Sequence, residues 1–275
     1  MLACFDIGGT SVKCGIWQNE KVTNHESFET PDNLDEMIAQ MKSYLGTQDI
    51  EGVAISCPGI VHKNEGRITG LSAVPYIHEI EFVKILEKEL GHHVTIENDA
   101  NCAALCESKY GVAKGTDSSA FIVIGTGIGG AFVHEDKILS GHHLIAGEYG
   151  MIETGKDIVG EFTLVNQAIK YNKNSTNQVS GKDLVEMTDE KAQKLIEEFV
   201  ETMGQMIFNI QVIIDPEMFV LGGGMSQNHN LVERIQKCAN EHLHSRGYEE
   251  IEINVKPCKY QNDANLIGAV VAYNN

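Results

Sequence analysis

Asp99 stands in the run Asn98-Asp99-Ala100-Asn101, where an apolar strand pattern gives way to a helical one. A carboxylate at such a junction has two uses. It can cap the helix, or it can take the proton of a hydroxyl whose oxygen attacks a phosphorus. Asn98 can orient the same hydroxyl through its amide. A second run, Asn262-Asp263-Ala264-Asn265, repeats the pattern. Local reasoning does not choose between Asp99 and Asp263.

Three glycine turns follow apolar strand patterns. The first is Asp6-Ile7-Gly8-Gly9-Thr10, with Lys13 close behind. Backbone amides in such a loop can surround a phosphate, Lys13 can add positive charge, and Asp6 can hold a magnesium-bound water. A tight hairpin explains the same residues. Neither Walker A spacing nor a full Gly-x-Gly-x-x-Gly fingerprint is present. The second turn is Gly125-Thr126-Gly127, followed by Gly129-Gly130, and the third is Gly222-Gly223-Gly224. Each alone is weak, but together they favour a nucleotide. Glu148, in Ala146-Gly147-Glu148-Tyr149-Gly150, can accept hydrogen bonds from sugar hydroxyls, and Gly59 can let a facing loop approach the ring. Tight turns around a solvated Glu are the plain alternative. His92, His93, His142 and His143 receive no catalytic role, and no histidine–cysteine cluster shows convincing metal spacing.

These residues need strands and helices to hold them. Strands are expected at Leu2 to Ile7, Lys13 to Gln18, His25 to Thr30, Gly52 to Ser56 and His93 to Glu97, then at Ala120 to Ile124, Ala131 to His134, Met218 to Leu221 and Glu250 to Val255. Helices are expected at Asn33 to Leu45, Glu81 to Leu90, Asp99 to Lys109, Lys191 to Ile210, His229 to His244 and Ala264 to Tyr273. Each half opens with a strand, a glycine turn and another strand. That repetition favours two related α/β lobes with a ligand cleft, divided near residues 112–118.

Composition sets outer bounds. The chain has 275 residues, 42% apolar and 22% charged, as in an ordinary globular protein. Its formal charge of −18 disfavours nonspecific binding to nucleic acid or anionic membranes. Seven cysteines without a Cys-x-x-Cys pair read as reduced and structural. No run suggests a secretory or membrane segment, so the cytoplasm is the expected location. Asn174-Ser175-Thr176 matches a glycosylation acceptor but reads as incidental without a secretory route.

In this order the motifs resemble the ROK family, a group of bacterial sugar kinases and related transcriptional repressors. The resemblance rests on Asp6 to Lys13, Glu97 to Ala104, Gly125 to Gly130, Ala146 to Gly150 and Gly222-Gly223-Gly224, and runs through nearly the full chain. It implies an actin-like ATPase (ribonuclease H-like) α/β fold, with two related lobes around a central nucleotide and sugar cleft. It implies ATP and Mg²⁺, a small sugar or disaccharide substrate and a homodimer. Asp99 becomes the general base, and Asn98 and Glu148 sugar contacts. Gly8, Gly9, Thr10, Gly125, Thr126 and Gly127 fall around the phosphates, and Gly223 and Gly224 near adenosine. The first lobe would be residues 1–114 with the final helix 262–275, and the second 115–261.

Two departures matter. Met151 stands where the family carries a His after Gly-Glu-x-Gly, and Thr154 to Glu161 lacks the family's cysteine-rich zinc segment. Zinc is therefore expected to be absent. Zinc-free members include β-glucoside kinases, which phosphorylate the 6-hydroxyl of the non-reducing glucose in disaccharides such as cellobiose. Glu148-Tyr149-Gly150-Met151-Ile152 resembles that branch. Glucose and N-acetylmannosamine are alternative substrates, and a non-catalytic sugar-binding regulator is the alternative of another class. Family repressors carry an added N-terminal helix-turn-helix, for which a phosphate motif starting at Asp6 leaves no room.

Overall fold

The computed structural model describes residues 1–155, 157–173 and 178–275; the acceptor sequence at Asn174 lies outside the described residues. By internal contacts the chain divides into two compact units. The first is Met1–Lys109 with Ser140–Ile145 and Asn262–Asn275, and the second is Tyr110–Leu139 with Ala146–Gln261.

In the first unit, β1 (Leu2–Ile7), β2 (Ser11–Gln18) and β3 (Lys21–Glu29) form an antiparallel meander. Helix α1 (Leu34–Leu45) carries the chain to β4 (Gly52–Cys57), which pairs parallel to β1. A small hairpin of β5 (Ile60–His62) and β6 (Arg67–Thr69) and helix α2 (Phe82–Leu90) precede β7 (His93–Asn98), which is parallel to β4. Helix α3 (Asp99–Tyr110) follows directly. The sheet order is β3-β2-β1-β4-β7.

The second unit repeats the scheme. Strands β8 (Ser118–Ile124), β9 (Ile128–His134) and β10 (Lys137–Ile138) form the meander. A minor ladder of β11 (Glu153–Thr154) and β12 (Asp157–Ile158) leads into helices α4 (Leu164–Asn172), α5 (Gly181–Glu186) and α6 (Glu190–Ile214). Strand β13 (Met218–Gly222), helix α7 (His229–His244) and strand β14 (Val255–Pro257) complete it, giving the order β10-β9-β8-β13-β14. Helix α8 (Ala264–Asn274) then returns to the first unit. Two sheets of matching order and direction are the doubled arrangement of the actin-like ATPase fold.

Local chemistry explains the boundaries. Asn33 caps α1, its Oδ1 accepting the Glu36 amide at 3.0 Å, and Met37, Ile38, Met41 and Leu45 turn inward from there. Gly91 ends α2 in the left-handed region at φ 75°. Strand β1 is buried throughout and needs apolar cover on both faces. Phe5 and Ile7 pack with Met37, Met41, Phe82 and Leu86, while Leu2 and Cys4 pack with Cys102, Leu266, Ala269 and Val270. In the second unit Ile122 and Leu221 meet Phe199, Met203 and Ile207 of α6 and Ile235 of α7. All seven cysteines are buried, and none is in a disulfide. Among the described residues no helix is long and apolar enough to cross a membrane.

One expectation needs correction, and one helix adds to the expected set. Glu250 to Val255 is not a strand, because only Val255–Pro257 joins the sheet. The Ile253 and Val255 amides instead donate to the side chains of Asn240 and Gln236 on α7, each at 2.8 Å. Those side chains satisfy donors that a ladder would have used. Helix α4 was not foreseen, because its start lies in a loop-like run; Thr163 caps it by accepting the Asn166 amide at 3.2 Å.

The contact of α8 with α3 leaves no room for a side chain. A Cβ on Gly268 would stand 1.7 Å from the Cys102 carbonyl oxygen. Gly268→Ala is expected to destabilise the chain by about 1–3 kcal/mol through overpacking, read as a lower urea midpoint with an unchanged slope. A midpoint equal to wild type would show that α8 seats elsewhere.

Candidate functional site

In the first unit the site is built at the carboxyl ends of β1, β4 and β7. Asp6 is buried near the end of β1, where its Oδ1 accepts from Ser56 Oγ of β4 at 2.8 Å and from Asn265 Nδ2 of α8 at 3.0 Å. Lys13 is its cross-strand partner on β2, so the two side chains leave the same face. The loop Gly8-Gly9-Thr10 follows β1 at the surface and is tied down by Thr30, whose Oγ1 donates to the Gly8 carbonyl at 2.6 Å. Neither glycine has positive φ. What Gly9 needs is space, because a Cβ there would meet Ala73 Cβ at 2.5 Å.

The junction of β7 and α3 divides its labour. Asn98 Oδ1 accepts the Asn101 amide at 3.1 Å, which makes Asn98 the cap of α3. Its Nδ2 donates to the Gly59 carbonyl at 3.0 Å. Gly59 holds φ +100°, and a Cβ there would lie 2.8 Å from His78 Cε1, so the position demands glycine. Asp99 Oδ1 accepts the adjacent Ala100 amide at 2.8 Å, and the Asp99 amide and the Asn98 side chain also hydrogen-bond to the carboxylate. Burial pushes the Asp99 carboxyl above its ordinary pKa of 3.8; the Ala100 hydrogen bond opposes that shift and the like charge of Asp6 adds to it. Asp263 is in a different setting. It is 41% exposed and pairs with His25 Nε2 at 3.2 Å.

Glu97 and Lys63 belong to the same arrangement and were not singled out from sequence. Glu97 is buried on β7; its Oε1 accepts the Asn98 amide at 2.8 Å and Asn101 Nδ2 at 2.9 Å, and Lys63 forms an ion pair with it. A buried carboxylate needs such a partner. The link is tertiary, and nothing in the sequence near Glu97 announces Lys63.

In the second unit, Gly125-Thr126-Gly127 forms the exposed turn between β8 and β9, with the Gly125 amide donating to the Gly127 carbonyl at 2.9 Å. A Cβ on Gly125, Gly127 or Gly224 would meet nothing within 4 Å. Gly223 differs: at φ +86° its Cβ would strike the Ile124 carbonyl oxygen at 2.1 Å, so glycine is what allows β13 to turn beside β8. Glu148 is exposed, held between Gly147 at φ +99° and the buried Tyr149, whose ring covers Gly130.

A cavity of about 780 Å³ opens beside these turns, lined by Gly125 and Gly224. Its walls are apolar at Leu164, Val165, Val185 and Met225, and polar at Ser180, Lys182, Glu186 and Gln227. The volume and the mixture suit a drug-sized ligand such as a nucleoside. The α4 and α5 wall was missed from sequence, because its members are spread over ordinary amphipathic helices.

The structure therefore groups Asp6, Gly8, Gly9, Thr10, Lys13, Gly59, Asn98 and Asp99 in the first unit, and Gly125, Thr126, Gly127, Glu148, Gly223 and Gly224 in the second.

The chain is similar to known proteins over most of its length. A β-glucoside kinase of Listeria innocua is 30% identical over 287 residues, covering 98% of this chain and 96% of that one. An N-acetyl-D-glucosamine kinase of Photobacterium profundum is 30% identical over 273 residues, covering 87% of this chain and 89% of that one. The crystal structure of a ROK family protein from Streptococcus pneumoniae TIGR4, in complex with sucrose, superposes with a TM-score of 0.90 at 32% identity, covering 99% of this chain and 97% of that one. The pattern of one family matches residues 2–275, from the first strand to the last residue of the final helix and beyond, and the chain belongs to the ROK family.

Proposed function

We propose that this protein is an ATP-dependent sugar kinase that transfers the γ-phosphoryl group to the 6-hydroxyl of a β-glucoside or glucose, with Asp99 as general base. The observation that carries this reading is the start of α3. Asn98 takes the capping role, which leaves the desolvated Asp99 carboxylate for proton transfer. Asp263, exposed and paired with His25, lacks that setting.

In this reading the sugar hydroxyl gives its proton to Asp99 as its oxygen attacks the γ-phosphorus. Asn98, held by the Gly59 carbonyl, orients the sugar, and the exposed Glu148 accepts its hydroxyls. The open space over Gly125 and Gly127 admits phosphate oxygens, and the cavity beside Gly224 takes the adenosine. Gly8, Gly9, Thr10 and Lys13 supply amides and a cation to the phosphates. Magnesium, when bound, neutralises charge on the phosphates. Asp6 fits a role beside it, since both of its described hydrogen bonds use Oδ1 and leave Oδ2 for a metal-bound water.

Two of the similar proteins support the β-glucoside reading. A β-glucoside kinase and a sucrose-bound protein are among the similar chains, and both names point to sugars larger than a free hexose. Thr154 to Glu161 contains no cysteine, so the family's zinc segment holds no metal in this reading.

Purified protein with ATP and Mg²⁺ is expected to phosphorylate cellobiose or gentiobiose faster than glucose or N-acetylmannosamine, as read by phosphosugar mass. No product from any of these sugars would replace the kinase by a sugar-binding regulator. Asp99→Asn is expected to cut kcat by roughly 10²–10⁴-fold while sugar binding persists, and Asp263→Asn is expected to lose far less. Near-normal turnover in Asp99→Asn would remove Asp99 from the reaction. Because the base must be ionised, kcat/KM is expected to fall as pH drops through the raised Asp99 pKa. That acid limb should lie above the ordinary aspartate value of 3.8; a limb at or below it contradicts the assignment.

A further inference from the structure

Away from the residues given roles above, helices α6 and α7 bring together three ligand types. Cys238 and His242 are four apart on α7 and share one face of it. Glu201 lies on α6, close to Gly204. A Cβ on Gly204 would fall 2.5 Å from Cys238 Sγ, so this glycine allows the helices to approach where the three residues meet. Cys238 Sγ lies 3.2 Å from Glu201 Oε2, and His242 Nε2 lies 2.9 Å from Glu201 Oε1. One ligand atom from each of the three falls within 4.8 Å of the others.

We propose that Glu201, Cys238 and His242 form a binding site for a borderline divalent cation of the Zn²⁺ type, joining α6 to α7. The donor set selects the class. A thiolate and an imidazole suit zinc-like ions and are poor partners for Mg²⁺ or Ca²⁺. Three protein ligands with a fourth position for water are an established zinc arrangement.

Charge and access agree. A thiolate and a carboxylate balance a divalent cation, so loading leaves no net charge on the site. Glu197 and Glu241 add negative potential near Cys238, although Glu197 also pairs with Arg234 at 2.6 Å and Glu241 with Lys237 at 3.6 Å. The imidazole is oriented from behind, its ring 5.9 Å from that of Phe208, with the Arg246 guanidinium on Phe208 at 4.6 Å. Cys238 is buried while the Glu201 side chain is 63% exposed, which gives the ion a path from solvent.

Without metal, Glu201 accepts hydrogen bonds from the thiol and the ring. On loading, the thiol proton leaves to solvent, the imidazole proton passes by way of solvent from Nε2 to Nδ1 so that Nε2 can ligate, and the Cys–Glu and His–Glu hydrogen bonds give way to three bonds to the ion. The missing cysteine-rich segment carries the zinc-free expectation; that argument does not reach α6 and α7, where Glu201 and Cys238 are 37 residues apart.

The test uses the full chain, stripped with chelator and kept reduced, without nucleotide. Titrated with Co²⁺, wild type is expected to bind one equivalent with a thiolate-to-cobalt absorption band in the near ultraviolet, which Zn²⁺ then displaces. Zn²⁺ is also expected to raise the Tm. Cys238→Ser should lose the band, and Glu201→Gln and His242→Gln should weaken binding and lose the Tm rise. If Cys238→Ser fails to fold, the other two variants, whose side chains are more exposed, decide the matter. No band in wild type, or a band and Tm rise unchanged in those variants, overturns the proposal. Kinase assays of the variants read the other site, so failure of one reading leaves the other standing.

Discussion

Strand β1 is buried along its whole length, and the helix that covers one of its faces arrives from the far end of the chain. Leu266, Ala269 and Val270 of α8 close over Leu2, Cys4 and Ala54. Each fully buried branched side chain contributes about 1.5–3 kcal/mol, and without α8 that apolar face would meet water. The same docking carries Asn265 to Asp6, across 259 residues of sequence. Core closure and the placement of a charged site residue are thus one event.

A second consequence appears at the amino end of α3. A helix start needs an acceptor for its free amides. Asn98 supplies it, while its Nδ2 donates to the Gly59 carbonyl and its side chain also bonds to Asp99. Asp99 is held beside the cap, in a desolvated setting close to Asp6. Glu97 fixes the Asn98 amide from below and is balanced by Lys63. Asn98 and Glu97 each take a partner from outside β7 and α3, the Gly59 carbonyl and Lys63, which ties the junction to its neighbours.

The second unit uses glycine for two distinct purposes. Gly204 and Gly223 are glycines because neighbouring atoms leave no room for a Cβ. Gly125, Gly127 and Gly224 face open space, so packing gives no reason for them. The proposed nucleotide would supply one. The cavity that two of them line is walled by α4, α5 and the start of α7, elements with ordinary amphipathic sequences.

Much of this was legible in the residue order. Strand and helix positions followed from apolar periodicity, because burial imposes a period of about 2 or 3.6 on each element. The family followed from short motifs in a fixed order. Asp99 and Asp263 could not be separated locally, since both precede an Ala and a helix; burial beside Asp6 in one case and exposure beside His25 in the other distinguish their settings. Lys63 beside Glu97, Asn265 beside Asp6 and Glu201 beside Cys238 and His242 had no local signal at all. Local periodicity records which face of an element is buried. It does not record which distant element covers that face, and the polar groups of this protein take their partners, and with them their chemistry, from that choice.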